Sequence, residues 1–478
     1  MSVVSAVVPR NSESIPRGAT AFLAISAGLI SFASLEFMLV EIQSDFSMSP
    51  DATIVVSQVS AGACLFAVFL AGALSDRLGD RRVMTWACMA YCVGALVVGL
   101  SPHVSTLMIG LSISGIGAIV MAIVGLSALN KSFPAGSDRA RAFGAFAVIA
   151  PVVSIVTPLL VSVIIPHSSW RVVTILWIIV GLVTAASARR SFDVRSENAV
   201  ASELLTPTFA GVSLSATALA FSFFSLSPRA GNHFQRGSIS GAVAAVSFVA
   251  LIVMMRRLPN PTLDIRSARV RGSLSILAAH FVVNGVNLFF FTYLFLQYRY
   301  HQTLLETAVL LIVPQLTATF GALLGGQLCA RFGSWRVASW ALAAASIASL
   351  STLLVGVGAS AWMPVITLSI AAVPIAAAVG PMTQAFMDLA PPDGAGAASS
   401  VRNASVNLGI AIAGLISGTI IFDRLDADTE LTIEAYGQQA DAFHLAGAIC
   451  CGCYLVAAVL VVVHARRRQV RFADVHGH

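Results

Sequence analysis

Charge is scarce in this sequence. Only 10% of its 478 residues are charged, and lysine occurs once, at Lys131. A soluble domain carries roughly 25% charged residues, so a soluble globular protein is excluded. Cysteine pairing is also missing. Cys64, Cys88 and Cys92 lie in apolar runs, as do Cys450, Cys451 and Cys453, and Cys329 ends one. The seven cysteines form no disulfide or zinc spacing, so they are read as small packing residues and no metal site is expected. No glycine loop leads into a Lys-Ser/Thr pair, which excludes a phosphate cradle and ATP-driven transport. No paired acids, His–acid pair or metal constellation marks a membrane–water boundary, and no soluble domain is present to hold one. Neither an enzyme nor a cofactor is expected. Met1–Ala19 carries Arg10 and Arg17 without a compact apolar core and cleavage site, so no secretory signal peptide is expected. The net charge of +6 does not argue for nucleic acid, because arginines of membrane proteins gather in cytoplasmic loops.

Apolar residues make up 57% of the chain. A bilayer-spanning helix needs ~20 of them in succession. Fourteen such runs fall at about 19–40, 53–74, 83–101, 105–128, 143–165, 170–187, 208–227, 237–255, 273–296, 305–329, 335–357, 361–387, 397–422 and 441–465. With the N-terminus placed inside, 23 of the 28 basic residues fall in alternate loops or tails, Arg402 among them, and 5 on the opposite side. That asymmetry fits fourteen spans with both termini cytoplasmic. An all-α polytopic membrane protein is therefore predicted.

The stretch Gly72-Ala73-Leu74-Ser75-Asp76-Arg77-Leu78-Gly79-Asp80-Arg81-Arg82 lies between the second and third runs. It resembles the loop signature of the major facilitator superfamily, G-x-L-x-D-R-x-G-x-[RK]-[RK]. Gly326 to Gly333 repeats the pattern after the tenth run, with Arg331 in place of Arg77 and Ala330 in place of Asp76. Parallel six-helix halves are the architecture this resemblance implies. The expected division is a tail (1–18), a first bundle (19–190), a linker with two additional helices (191–272), a second bundle (273–465) and a tail (466–478). Asn260–Ile265, Tyr293–Gln297 and the segment Gly394–Ser399 with Arg402-Asn403 are similar to the fourteen-span drug:proton antiporter branch. That resemblance implies a functional monomer moving a small-molecule substrate, with protons and the lipid bilayer as its other partners. One lysine beside abundant arginine and alanine points to a GC-rich bacterial genome, and an inner-membrane location is expected from that and from the lack of a targeting signal. The resemblance also implies that Asp76 meets the start of span 13, near Gly396–Ser400. Gly72, Asp76, Arg77, Gly79, Arg81, Arg82 and Arg331 would then form the cytoplasmic gate.

An ionised side chain at mid-membrane costs at least ~2.5–3.5 kcal/mol, so each acid inside a span needs a reason. Glu36 lies about two-thirds along span 1, where the branch places an aspartate, and is the first candidate for proton coupling. Its alternative is a permanently protonated packing group. Glu41 and Glu306 fall at the outer level, Glu306 beside a helix N-terminus. His280, Asn284 and Asn287 recur at i, i+4 and i+7, which places them on one face of a continuous helix. They form either a wet substrate cavity, with His280 as a second titratable group, or interhelical hydrogen bonds. Gln315, Asn403 and Asn407 are further cavity candidates, and Gln384 and Asp388 lie near the inner end of span 12.

Two motifs of the resemblance are eroded. Leu111 stands where the fourth-span motif has arginine and Ser114 where it has glutamine, and in Thr157–Ser162 only Pro158 of the fifth-span motif remains. The leading expectation is proton-coupled export of small amphipathic or cationic compounds by alternating access. The alternatives are a uniporter or symporter for a metabolite, and a receptor or scaffold with this fold.

Overall fold

The computed structural model describes residues 14–48, 50–133, 136–192, 204–224, 233–257, 273–286, 288–300, 302–356, 358–389, 394–424 and 433–476. Sixteen α-helices and one 3-10 turn, with no strand, make up the described residues. The first half holds α1 (Ser14–Asp45), α2 (Pro50–Leu78), α3 (Asp80–Gly99), α4 (Val104–Ser132), α5 (Ser137–His167) and α6 (Trp170–Ser191). Next come α7 (Leu205–Phe224) and α8 (His233–Arg257). The second half holds α9 (Ser273–Asn284), α10 (Leu288–Tyr300), α11 (Leu304–Leu310), α12 (Ile312–Phe332) and α13 (Ser334–Ser349), which runs into the 3-10 turn Leu350–Leu354. It closes with α14 (Trp362–Met387), α15 (Ala395–Arg424) and α16 (Ile433–His476). Among the described residues, 11 helical stretches are long and apolar enough to cross a membrane.

Two of the predicted spans are broken helices. Span 9 divides into α9 and α10, with Gly285 and Val286 outside either helix, and Gly409 of α15 abuts the backbone of Phe281 and Gly285 there. Asn284, the last residue of α9, donates its side-chain amide to the His280 carbonyl at 2.7 Å. Span 10 divides at Leu311, just ahead of Pro314. Proline brings no N–H to the Leu310 carbonyl, so the i→i−4 ladder has a gap there.

Each half has its own apolar core. In the first, Tyr91, Trp177, Met38, Leu107 and Leu111 are buried together, and Trp177 Nε1 donates to Ser34 Oγ at 2.8 Å, clamping α1 to α6. In the second, Tyr454, Leu342, Leu368 and Met382 play the same part. The hairpin α7–α8 leans on α2 and touches α15, so it lies alongside the seam between the halves.

The loop end opposite Gly72–Arg82 is tied by Asp45. Trp170 Nε1 donates to its carboxylate at 2.9 Å, Arg171 forms an ion pair with it, and Arg171 Nη2 also donates to the Ser101 carbonyl at 3.2 Å. The hydrogen bond from Arg171, then that from Trp170, hold the Asp45 carboxyl below its usual range. A carboxyl depressed in the folded state adds stability above its unfolded pKa and loses it as pH falls through the folded value. Below about pH 4 the melting temperature is expected to fall, and Asp45→Asn should flatten that fall by about one or two degrees, the scale for an exposed pair. A thermal melt series from pH 6 to pH 3 checks it, and an Asp45→Asn curve superposable on wild type would refute it.

Candidate functional site: the junction between the halves

The halves meet at the end of the molecule that carries the Gly72–Arg82 loop, hereafter the arginine-rich face. Gly79 and Gly333 turn the chain there with φ of 86° each, a conformation in which a Cβ is strained. The two copies of the loop motif therefore adopt the same local backbone. Their other glycines serve close approach. Gly72 of α2 lies against Gly396 and Ser400 of α15, and Gly326 of α12 against Gly144 of α5, so tightly that an added Cβ meets backbone atoms in each case.

Polar links follow. Gly396 N–H donates to Asp76 Oδ1 at 3.1 Å and Ala397 N–H to Asp76 Oδ2 at 3.0 Å. These are N–H groups of the first turn of α15, which have no intrahelical acceptor, and the carboxylate also meets the positive end of the helix dipole. Arg139 of α5 bridges to Asp388 at the end of α14, at 2.9 Å. Within the first half, Asp80 accepts from Ser75 and pairs with Lys131 at 3.0 Å, which sets the ends of α2, α3 and α4 relative to one another. Arg77 and Arg331 are exposed, Arg81 is half-buried and Arg82 is exposed. Beneath this layer lies an apolar plug drawn from both halves, with Leu129, Phe133 and Phe143 meeting Ile276, Phe386 and Met387.

The cavity candidates are placed less uniformly. Glu36 falls on α1 between buried Leu35 and Phe37, and its side chain lies outside the described residues, as does Asn287. Phe37 meets Tyr293 of α10 with ring centroids 5.7 Å apart, so this part of α1 faces the second half. His280 is buried, with Nε2 lacking a partner. His280 and Asn284 lie on α9, which ends at Asn284, and Asn287, the third residue of the expected face, falls outside the described residues. The amides of Asn284, Asn403 and Asn407 each donate to the carbonyl four residues earlier on their own helix, at 2.7, 2.8 and 2.8 Å. Gln315 is buried on α12. Gln384 accepts from Cys329 Sγ at 3.1 Å. Glu41 is exposed, and Glu306 closes a capping box with Thr303 at the start of α11.

Arg402 is the residue that spacing and charge counting misplaced. Counted with the loop arginines, it lies inside α15 and is buried there. The signal was its position within the apolar run 397–422, because an ionisable residue inside a span is a functional candidate by default. Leu111 belongs to the first-half core, and Ser114 Oγ donates to its carbonyl at 3.1 Å, so the eroded fourth-span motif now serves packing.

The arrangement compares with known proteins as follows. A methylenomycin A resistance protein of Streptomyces coelicolor is 25% identical over 368 residues, 76% of each chain. The multidrug resistance protein Stp of Mycobacterium tuberculosis is 24% identical over 406 residues, 83% of this chain and 74% of that one. Two solved structures share the fold. The human organic anion transporter MFSD10 superposes with a TM-score of 0.65 at 14% identity, covering 94% of this chain and all of that one. The proton:xylose symporter XylE superposes with a TM-score of 0.61 at 12% identity, over 94% and 95%. The Major Facilitator Superfamily model matches residues 20–414. With two packed halves, a hairpin beside their seam and a repeated glycine loop, this multi-pass membrane protein belongs to the major facilitator superfamily.

Proposed function

We propose that the protein exports small amphipathic compounds in exchange for protons by alternating access, with the arginine-rich face in the cytoplasm and Glu36 as the coupling group. The observation that carries this reading is the junction itself. Its glycine contacts, the Asp76 bonds to α15 and the Arg139–Asp388 pair all join one half to the other, and they part without opening either half's core. Gly72, Gly79, Arg77, Arg81, Arg82 and Arg331 belong to the same gate in this reading. The drug-resistance names of its bacterial relatives favour export. Burial raises the pKa of a carboxyl, so Glu36 would take up or release a proton according to the side its surroundings face. One proton moving down ~100 mV supplies ~2.3 kcal/mol, enough for a roughly 50-fold gradient of a neutral solute. His280 is the second titratable group of this reading.

Liposomes containing the protein and a pH-sensitive dye test it. Under an imposed proton gradient, adding a panel of amphiphiles is expected to trigger proton movement in the wild type and none in Glu36→Gln. Leu111, where the resemblance expects arginine, favours a second reading, a carrier without proton coupling. Substrate that crosses in both proteins while no proton moves would establish that reading and remove the first.

A further inference from the structure

We propose that Arg402 and His280 form a binding site for the carboxylate of a small amphipathic organic acid. This rests on the transporter reading above and narrows its substrate class. Arg402 is 7% exposed and lies seven residues into α15, or about 10 Å from its start. Its guanidinium is placed by three neighbours, none of them acidic. Nη1 donates to Asn403 Oδ1 at 3.4 Å, Nη2 donates to Thr383 Oγ1 at 3.2 Å, and the plane lies 5.5 Å from the Phe146 ring centroid. Nε has no partner, and among the described residues no carboxylate pairs with this arginine.

An arginine does not escape burial by losing its proton, so a charged fork in the interior needs an anion or water on its free edge. The edge that includes Nε suits a planar carboxylate, which takes two parallel N–H bonds. His280 of α9, a helix packed against α15, is 2% exposed; its ring donates to the Met382 carbonyl and leaves Nε2 unpartnered, so it meets a carboxylate as the imidazolium, with the acid's proton on Nε2. Buried polar atoms are satisfied in the great majority of native structures, so two orphans on facing helices point to a missing partner. Both lie behind the apolar plug and the Asp76 and Arg139 links, so the site is sealed from the arginine-rich face in this conformation. Phe146 belongs to the first half and Thr383 and Asn403 to the second, so an anion held here touches both bodies that must move. Of the amphipathic and cationic substrates expected from the sequence, a buried guanidinium with no carboxylate partner among the described residues disfavours the cations.

The test compares 4-phenylbutyrate with its neutral amide, 4-phenylbutyramide, and with the cation 4-phenylbutylamine, using purified full-length protein for binding and proteoliposomes for flux. The acid is expected to bind and to raise the melting temperature, the amide and amine not. Affinity for the acid should fall by about tenfold or more in Arg402→Lys, which keeps the charge and loses the fork, and further in Arg402→Gln. If Arg402→Gln elutes as an aggregate, the lysine variant and the wild-type panel decide. Preference for the amine, or acid binding unchanged in Arg402→Lys, overturns the proposal. Recovery of wild-type stability in Glu36→Gln/Arg402→Gln, when each single variant is destabilised, also overturns it by making Glu36 the arginine's internal counter-ion. Arg402-dependent binding without any flux sustains the site and removes the transport reading. Amine flux coupled to protons does the reverse.

Discussion

Replacing Gly72 by alanine is expected to lower turnover in liposomes by about tenfold or more, through overpacking worth about 1–3 kcal/mol. A methyl built on Gly72 collides with Ser400 Oγ and with the Gly396 carbonyl oxygen. The serine can rotate away, but the carbonyl belongs to the first turn of α15 and moves only with the helix. The cheapest response is for α2 and α15 to separate. Asp76 lies one turn from Gly72, so separation also lengthens its 3.1 and 3.0 Å bonds to Gly396 and Ala397. One methyl therefore acts twice on the same seam, and the closed arrangement at the arginine-rich face loses population. Each half keeps its own core, so circular dichroism should be unchanged. Gly452→Ala is the control. An added Cβ there meets nothing within 4 Å, and glycine to alanine in a helix interior gains about 1 kcal/mol. Wild-type turnover in Gly72→Ala would show that the two helices do not need to meet this closely during the cycle.

The loop around Gly72 was legible because its chemistry is local. A residue with positive φ, a close contact and a carboxylate for a helix start must sit at fixed offsets, and fixed offsets are visible in one sequence. The second copy was legible through Gly326 and Gly333 for the same reason, although its acid is missing. The break in span 9 was not. Hydropathy registers the apolar character of 273–296 and is indifferent to whether the backbone is continuous, and Gly285 was the one local clue. Arg402 was hidden by a boundary, since charge counting assigned an arginine near a span's start to the loop before it. The Arg139–Asp388 pair joins residues 249 positions apart, so no local pattern encodes it. Charge alone does not say which of many exposed arginines finds which acid.

Asp76→Ala is expected to be the strongest single-site loss at the gate. It removes two charge-assisted bonds to α15, worth about 2 kcal/mol together, and shifts the open-to-closed ratio at the arginine-rich face by roughly 30-fold. Asp76→Asn retains one acceptor oxygen but not the charge that favours a helix N-terminus, so it should fall between wild type and alanine. Proteoliposome turnover for the three proteins, with spin labels on α2 and α15 reporting their separation, gives the ordering. Equal turnover in all three would make the contact incidental. The second copy of the motif explains why an acid is needed only once. Gly326 meets Ala140 and Gly144 of α5 as Gly72 meets Gly396 and Ser400 of α15, so Ala140 occupies the place of Gly396. The Ala140 amide is already bonded to the Gly136 carbonyl at 3.1 Å, because α5 begins three residues earlier, at Ser137. α15 begins at Ala395, which leaves the Gly396 and Ala397 amides free to meet Asp76. An acid at Ala330 would find no open amide at the equivalent place, and α5 is held instead by Arg139 reaching Asp388. Ala330→Asp introduced alongside Asp76→Ala should therefore leave turnover as low as in Asp76→Ala alone, whereas a gate that needed only negative charge at either loop would be rescued.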